Sequence, residues 1–321
     1  MSVTDTVVKI YKSTLFRRHD DDGSIFYFSA ADFPGLCATP FSFKNKKGDK
    51  LSGNFYSYEN PIANRLVILD HGMGMGHRAY MREIEMLARH GYLVYSYDHT
   101  GCTESEGENI GGFAGSLSDL DACITSIKAC PEYSSLKISV FGHSWGGFST
   151  MNILALHPDI EAAVCLSGFI SVRDMQRQVI PFFFTKARRT LYALEAEASP
   201  EYVAASALDA ISKTDARVLL IHSTDDKTVS YSRHFRKLMR VAEGRENVRL
   251  LTVKGKNHNP NYTREAVYYK EAFMKEHDRA VKEGKLSTSE EKAAFISHFD
   301  FYRMTEQDEN VWAEIFRTLD N

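Results

Sequence analysis

No apolar run in this 321-residue chain approaches the roughly 20 residues that a membrane-spanning helix needs, so no stable membrane insertion is expected. The first residues, Met1 to Thr6, carry neither the basic nor the apolar region of a secretory signal. Cysteines are few and odd in number. Cys37, Cys102, Cys123, Cys130 and Cys165 show no Cys-x-x-Cys spacing, which argues against a disulfide framework and against a structural metal. Free thiols of this kind fit a reducing, cytoplasmic setting. Surplus charge is missing too. A net charge of −3 gives no general attraction to nucleic acid or to an anionic membrane surface. There is no internal repeat, low-complexity tract or break in composition, so a single domain is expected.

What the chain does have is one stretch that organises the rest. Lys137 to Phe141 reads as a short buried strand, and Phe148 to Leu156 reads as a helix. Between them Gly142-His143-Ser144-Trp145-Gly146 fits the Gly-x-Ser-x-Gly nucleophile elbow. In that motif a tight strand-to-helix turn pushes the serine hydroxyl out over the end of a sheet. Its neighbours need to be small for the turn to close.

Read in order, the chain alternates strands and helices. Residues 1–35 are aromatic, with an acidic knot at Asp20-Asp21-Asp22, and carry no clear pattern. Phe41 to Tyr58 reads as a hairpin around a polar, glycine-containing turn. Leu66 to Leu69 is a continuous apolar run, as in a strand covered on both faces, and it enters the glycine-rich loop Asp70 to Gly76. Tyr80 to Arg89 and Leu117 to Ala129 have helical patterns, with a strand between them at Leu93 to Tyr97. Further strands are expected at Ala162 to Leu166, Val218 to Ile221 and Val248 to Val253. This alternation predicts a mostly parallel sheet with helices on both faces, whose site lies beyond the carboxyl ends of the strands. Four candidate loops leave those ends: Asp70 to Gly76, the elbow, His222 to Asp226 and Lys254 to His258. After His258 the spacing predicts a long charged helix over Thr263 to Gly284. A capping box at Ser287 to Glu290 and two short helices follow.

A serine hydroxyl needs a base to take its proton, usually an imidazole oriented by a carboxylate. His258 is the best-placed base, just past the last strand. Asp226 is the preferred carboxylate, with Asp225 as the alternative. The order Ser144, Asp226, His258 differs from those of the chymotrypsin and subtilisin types. The developing oxyanion needs preorganised donors, and the backbone amides of Trp145 and Met73 are the candidates. His71, His143 and His222 are expected to be structural.

These motifs resemble the α/β-hydrolase superfamily, and within it the serine hydrolases of the monoacylglycerol lipase-like, lysophospholipase-like and cinnamoyl-esterase-like branch. The likeness runs from about Phe41 to His258 and a helix beyond. It rests on His71-Gly72-Met73-Gly74, Asp98 with Gly101 and Ser105, the elbow with Gly147, and the stretch from Ile221 to Val229. The family's spacing in that last stretch selects Asp226. Thr100, Cys102-Thr103 and Ser223 depart from the pattern, and residues 1–35 and the tail lie outside it.

The resemblance implies an α/β-hydrolase fold with a helical cap between strands 6 and 7. The expected core is about 41–169 and 213–284, the cap about 170–212, and a helical C-terminal extension about 285–321. It also implies a serine hydrolase that cleaves a carboxylic ester of a small molecule through an acyl-serine, with no cofactor or metal. The chain is expected to be a possible homo-oligomer. In the cap, Phe182, Phe183 and Phe184 are candidate substrate contacts. A peptidase or amidase reading would use Glu195, Glu197 or Glu201 to hold a free amino group. A non-catalytic binding protein on the same fold is a third reading. Dehalogenase or epoxide-hydrolase chemistry is excluded, because it would need an acid at position 144.

Overall fold

A computed structural model describes residues 3–62, 64–74 and 76–321. Met1 and Ser2 at the amino terminus, Ala63 before β3, and Met75 in the glycine-rich loop lie outside the described residues. The helices are α1 (Val3–Leu15), α2 (Met81–Arg89), α3 (Gly115–Ala129), α4 (Trp145–Asn152), α5 (Val172–Val179), α6 (Thr185–Ala198), α7 (Ala207–Lys213), α8 (Phe235–Ala242), α9 (Arg264–Lys282), α10 (Ser289–Ile296), α11 (Phe301–Met304) and α12 (Glu309–Asp320). The strands are β1 (Cys37–Lys44), β2 (Lys50–Ser57), β3 (Arg65–Asp70), β4 (Leu93–Tyr97), β5 (Lys137–His143), β6 (Ala162–Leu166), β7 (Arg217–Ser223) and β8 (Val248–Val253).

The eight strands form one sheet in the order β1-β2-β4-β3-β5-β6-β7-β8. The expected hairpin is the antiparallel β1–β2 pair, and β2 also runs antiparallel to β4. From β4 through β3 to β8 every pair is parallel. The continuous apolar runs have a simple cause. Successive side chains of a strand point to opposite faces, so a strand covered on both faces needs apolar residues at every position. In β3, Leu66 and Ile68 join the core on one face, while Val67 and Leu69 join the core on the other. The first core is closed by α3 and α4. The second is closed by α2 and, unexpectedly, by α12.

The two termini are where the structure adds to the sequence reading. Residues 3–15 form an amphipathic helix that packs on α6, far along the chain. The tail holds three helices rather than two, and its last one is part of the body. Val311, Trp312, Ile315 and Leu319 repeat at helical spacing and pack on β6 and β7, with the Trp312 ring stacked on Phe141 at 5.8 Å and 9°. That apolar spacing is readable in the sequence and places α12 on the sheet. The capping box is also shifted by one residue: Thr288 is the cap, and Glu291 returns the bond to its backbone.

Because Trp312 is almost fully buried and its indole N–H donates to Gln307 Oε1 at 2.8 Å, Trp312→Ala should lower unfolding free energy by about 3–5 kcal/mol. Urea titration with an unchanged m-value checks this.

Candidate active site

Ser144 sits at the junction of β5 and α4 with φ 58° and ψ −110°, a conformation that costs a non-glycine residue energy and is held by its surroundings. Its N–H donates to Leu166 O at 2.8 Å, and its carbonyl accepts from Phe148 N at 3.0 Å. The flanking glycines are sterically required. A Cβ on Gly142 would collide with the Gly146 carbonyl, and one on Gly146 would collide with the Asp70 carbonyl. The motif is thus a consequence of how closely the elbow backbone approaches its own helix α4 at Gly142 and β3 at Gly146.

Loops from two other strand ends meet the serine. His258 Nε2 lies 2.8 Å from Ser144 Oγ, and His258 Nδ1 lies 2.8 Å from Asp226 Oδ2. The carboxylate requires the N–H at Nδ1, which leaves Nε2 free to accept the serine proton. Asp226 is further fixed by the amides of Thr228 and Val229, which donate to its Oδ1 at 2.8 and 2.9 Å. Burial alone would push this carboxyl up, but hydrogen bonds from His222 and His258 outweigh it and hold it well below the usual range. Asp225 has a different task. It accepts from Ser223 Oγ at 2.7 Å and from the amides of Gly255 and Asn257, bracing the loop that leads to His258. The unusual Ser223 therefore keeps the neighbouring aspartate occupied. The other departures are also seated: Thr100 bonds Asp119, Thr103 bonds Asp98, and Cys102 is buried.

The three remaining candidate histidines are structural, as expected, but two of them order the site. His143 donates from Nε2 to the His258 carbonyl at 2.7 Å and accepts at Nδ1 from the Tyr80 hydroxyl at 2.8 Å. Tyr80 in turn accepts from the Gly72 amide at 3.0 Å. One short chain of bonds thus ties the glycine-rich loop to the loop of His258. Burial pushes His143 down to about 3, so it stays neutral. His71 donates from Nδ1 to Gly72 O at 2.6 Å. In a trans peptide the N–H opposes the C=O, so this bond aims the Met73 amide away from His71. Among the described residues neither the Met73 amide nor the Trp145 amide has an acceptor. His222 lies in the core with Nε2 on the Val229 carbonyl at 2.8 Å.

Under this loop lies a charged group that sequence reasoning missed. His99 Nδ1 is 3.2 Å from Asp119 Oδ2, and Nε2 is 3.0 Å from Asp70 Oδ1, a close ionic approach without hydrogen-bond alignment. Burial would lower its pKa, but the two carboxylates more than offset that and raise it to about 10. The His99 amide donates to His71 Nε2 at 3.0 Å, so the imidazolium underpins the loop bearing Met73. Burial and the charge on His99 push His71 itself down to about 3.

Two cavities of about 470 Å³ each flank the site; they share Met73 and Thr228 in their walls, with Ser144 lining one and His258 the other. The first is almost wholly apolar. Ser144, Trp145 and Met73 sit in its wall with Val7, Ile10, Phe113, Phe169 and Phe184. Of the three candidate phenylalanines, only Phe184 lines it. Phe182 and Phe183 point to solvent, 79% and 63% exposed. Two of the three glutamates considered for an amino-group site are otherwise engaged. Glu195 is buried and accepts from Tyr11 Oη at 2.5 Å and from the Phe113 amide at 3.0 Å, while Glu201 pairs with Lys46. Glu197 is exposed. Glu195 is the post on which α1 closes the first cavity, and no local pattern in the sequence announces a contact 184 residues long.

The loop of His258 is also fastened from behind. Buried Lys256 donates to Pro260 O at 3.1 Å and Asp308 Oδ2 at 2.6 Å, and Asn261 Nδ2 donates to Glu83 Oε1 and Gln307 Oε1. No helix among the described residues is long and apolar enough to cross a membrane, and no group of His, Cys, Asp or Glu among them could hold a metal.

Comparisons with known proteins find hydrolases. Residues 61–204 match the family described as serine aminopeptidase, S33. A monoglyceride lipase homolog of Monkeypox virus is 31% identical over 118 residues, covering 35% of this chain and 41% of its own. A probable chloroplastic glutamyl endopeptidase of Arabidopsis thaliana is 37% identical over 90 residues, 28% of this chain and 8% of its own. The chain thus spans less than half the length of either relative. Among solved structures, an esterase of Pyrococcus furiosus superposes with a TM-score of 0.59 at 21% identity, covering 84% of this chain and 96% of the other. An α/β-hydrolase from a Penicillium species gives 0.50 at 17%, covering 69% and 91%. The chain has the α/β-hydrolase fold, and over residues 61–204 it is similar to the serine aminopeptidase, S33 family. It resembles the serine hydrolases of the monoacylglycerol lipase-like branch.

A histidine whose folded pKa is raised stabilises the fold fully below its unfolded value, near 6.5, and loses that contribution as pH rises through the folded value. Stability should therefore fall between about pH 6.5 and pH 10, and His99→Gln should flatten that slope while lowering stability at pH 7. Urea midpoints across the pH range check it.

Proposed function

We propose that the protein is a serine hydrolase that cleaves carboxylic esters. Ser144 attacks the carbonyl, His258 takes the serine proton, Asp226 holds the imidazole, and the amides of Met73 and Trp145 stabilise the oxyanion. The tetrahedral species collapses as His258 returns the proton to the leaving oxygen. Water then repeats the sequence on the acyl-serine and releases the acid. The single observation that carries this reading is the unbroken hydrogen-bonded series Ser144–His258–Asp226 at 2.8 Å per step, opening on an apolar cavity. The monoglyceride lipase relative and the esterase neighbour support ester chemistry.

The apolar cavity gives the acyl half a place. Burying a medium aliphatic chain against rings such as Phe184 contributes about 25 cal/mol per Å² of apolar surface removed from water. The competing peptidase reading draws on the aminopeptidase family and the endopeptidase relative. Of its three expected amino-group anchors, Glu195 is already bonded to Tyr11 and the Phe113 amide, Glu201 pairs with Lys46, and neither Glu197 nor Glu201 lines either cavity. We further propose that the enzyme works in the cytoplasm without cofactor or metal.

Rates on p-nitrophenyl esters of increasing chain length should exceed those on aminoacyl anilides by orders of magnitude; the reverse order would establish the peptidase reading. In the same assay Asp226→Asn should lose about 10⁴ in kcat, the loss that removing the corresponding carboxylate causes in trypsin, whereas Asp225→Asn should lose far less. Phe184→Ala should lower kcat/KM for octanoate more than for acetate, and Phe182→Ala should leave that preference as it is.

A further inference from the structure

The second cavity is unassigned by anything above. It begins at Gly72, Met73 and His258, runs between residues 25–28 and α9, and ends against α11. His258 lines this cavity and is absent from the wall of the apolar one. That difference fixes the direction of the substrate. When the bond from the carbonyl carbon to the leaving oxygen breaks, the electron pair stays on that oxygen and the His258 Nε2 proton goes to it. The leaving half therefore lies on the side of His258, in the second cavity, with the acyl half in the apolar one.

The chemistry of the second cavity is not that of a neutral diol site. Lys270, on α9, reaches its wall with Nζ 3.2 Å from Asn259 Oδ1 and 5.1 Å from the centre of the Tyr262 ring. Among the described residues no carboxylate lies within ion-pair distance of it; burial lowers its pKa, and the charge on Glu83 in the same wall partly offsets that. Arg78 lines the same cavity, exposed, with its guanidinium on the Tyr27 carbonyl at 3.3 Å and likewise without a carboxylate partner. The acidic residue in the wall, Glu83, is 2% exposed. Its Oε1 accepts from Asn261 and Gln307, and its Oε2 is shut off from solvent. Arg82 also lines the wall, its guanidinium over the Phe33 and Tyr302 rings. The wall thus carries three basic side chains, while the one acid is held behind the lining.

We propose that the leaving half of the substrate carries an anionic group, a carboxylate or a phosphate, held by Lys270 with Arg78 at the mouth. The proposal rests on the ester-hydrolase reading and deepens it. It places the principal anion contact, Lys270 on α9, outside the matched family region, with Arg78 inside it.

The test uses the full chain and four octanoyl esters, those of lactate, glycerol 3-phosphate, glycerol and choline, with p-nitrophenyl octanoate alongside. A hydrogen bond to a charged group is worth about 1.5–3 kcal/mol, which is about ten- to hundredfold in rate. The kcat/KM of at least one anionic ester should exceed that of the glycerol ester by about tenfold or more, and the choline ester should be the poorest. The better of lactate and phosphate identifies which anion is taken. Lys270→Met should bring the anionic-to-glycerol ratio down to about one, and Lys270→Arg should keep most of it. Because the readout is a ratio, a general loss of activity in either variant does not move it. Equal use of the choline and anionic esters, or an undiminished ratio in Lys270→Met, overturns the proposal. If p-nitrophenyl octanoate and all four esters are left intact, the ester-hydrolase reading itself falls, and this proposal falls with it.

Discussion

The structure depends on one close approach of backbone to backbone. The elbow at Ser144 packs so tightly, Gly142 against the start of α4 and Gly146 against the end of β3, that neither glycine could carry a side chain, and the serine is held at φ 58°. A turn this strained persists only where its surroundings over-determine it. Here the parallel strands do so from both sides: Ser144 N–H is bonded to the end of β6, and Asp70 at the end of β3 presses against Gly146. The same parallel arrangement brings the ends of β7 and β8 alongside, which is why Asp226 and His258 reach the serine. The order of strands thus converts residues over a hundred positions apart into one hydrogen-bonded series.

Around that series the protein spends most of its buried polar groups on the loops rather than on the reacting atoms. His99, between Asp70 and Asp119, supports His71, and His71 turns the Gly72–Met73 peptide. Tyr80 and His143 connect that peptide to the carbonyl of His258. Lys256, Asp308, Asn261 and Gln307 fasten the His258 loop to the C-terminal segment. Placing donors before the reaction costs nothing at the moment of charge development, which is the physical basis of oxyanion stabilisation. In this chain the two termini take part in that placement, α1 through the first cavity and α12 through Gln307 and Trp312.

What the sequence disclosed and what it withheld divide along the range of the interactions. The inner strands such as β3 and β6 were legible because a strand covered on both faces must be apolar at each position, and the edge strand β8 was legible from its β-branched and leucine run. Ser144 and its partners were legible because a tight turn and a loop end leave local marks. Asp226 was separable from Asp225 only by spacing, and the structure gives the reason: Asp225 is occupied by Ser223 and two loop amides. The helix α1 left no readable mark in isolation, since its meaning lies in Tyr11 meeting Glu195. Phe182 and Phe183 illustrate the converse. Adjacent phenylalanines in a cap suggest a lining, but neighbouring positions on a turn face different ways, and only Phe184 faces inward. The second cavity was invisible for the same reason as α1, being assembled from residues 25–28, the His258 loop and α9.

The central claim is that Ser144 is a nucleophile activated by His258. A fluorophosphonate probe, which reacts with serines so activated, followed by intact-mass and peptide mapping tests it directly. One adduct per chain is expected, on Ser144, absent in Ser144→Ala and strongly slowed in His258→Ala. An adduct mapped to another residue, or ester hydrolysis undiminished in Ser144→Ala, would contradict it.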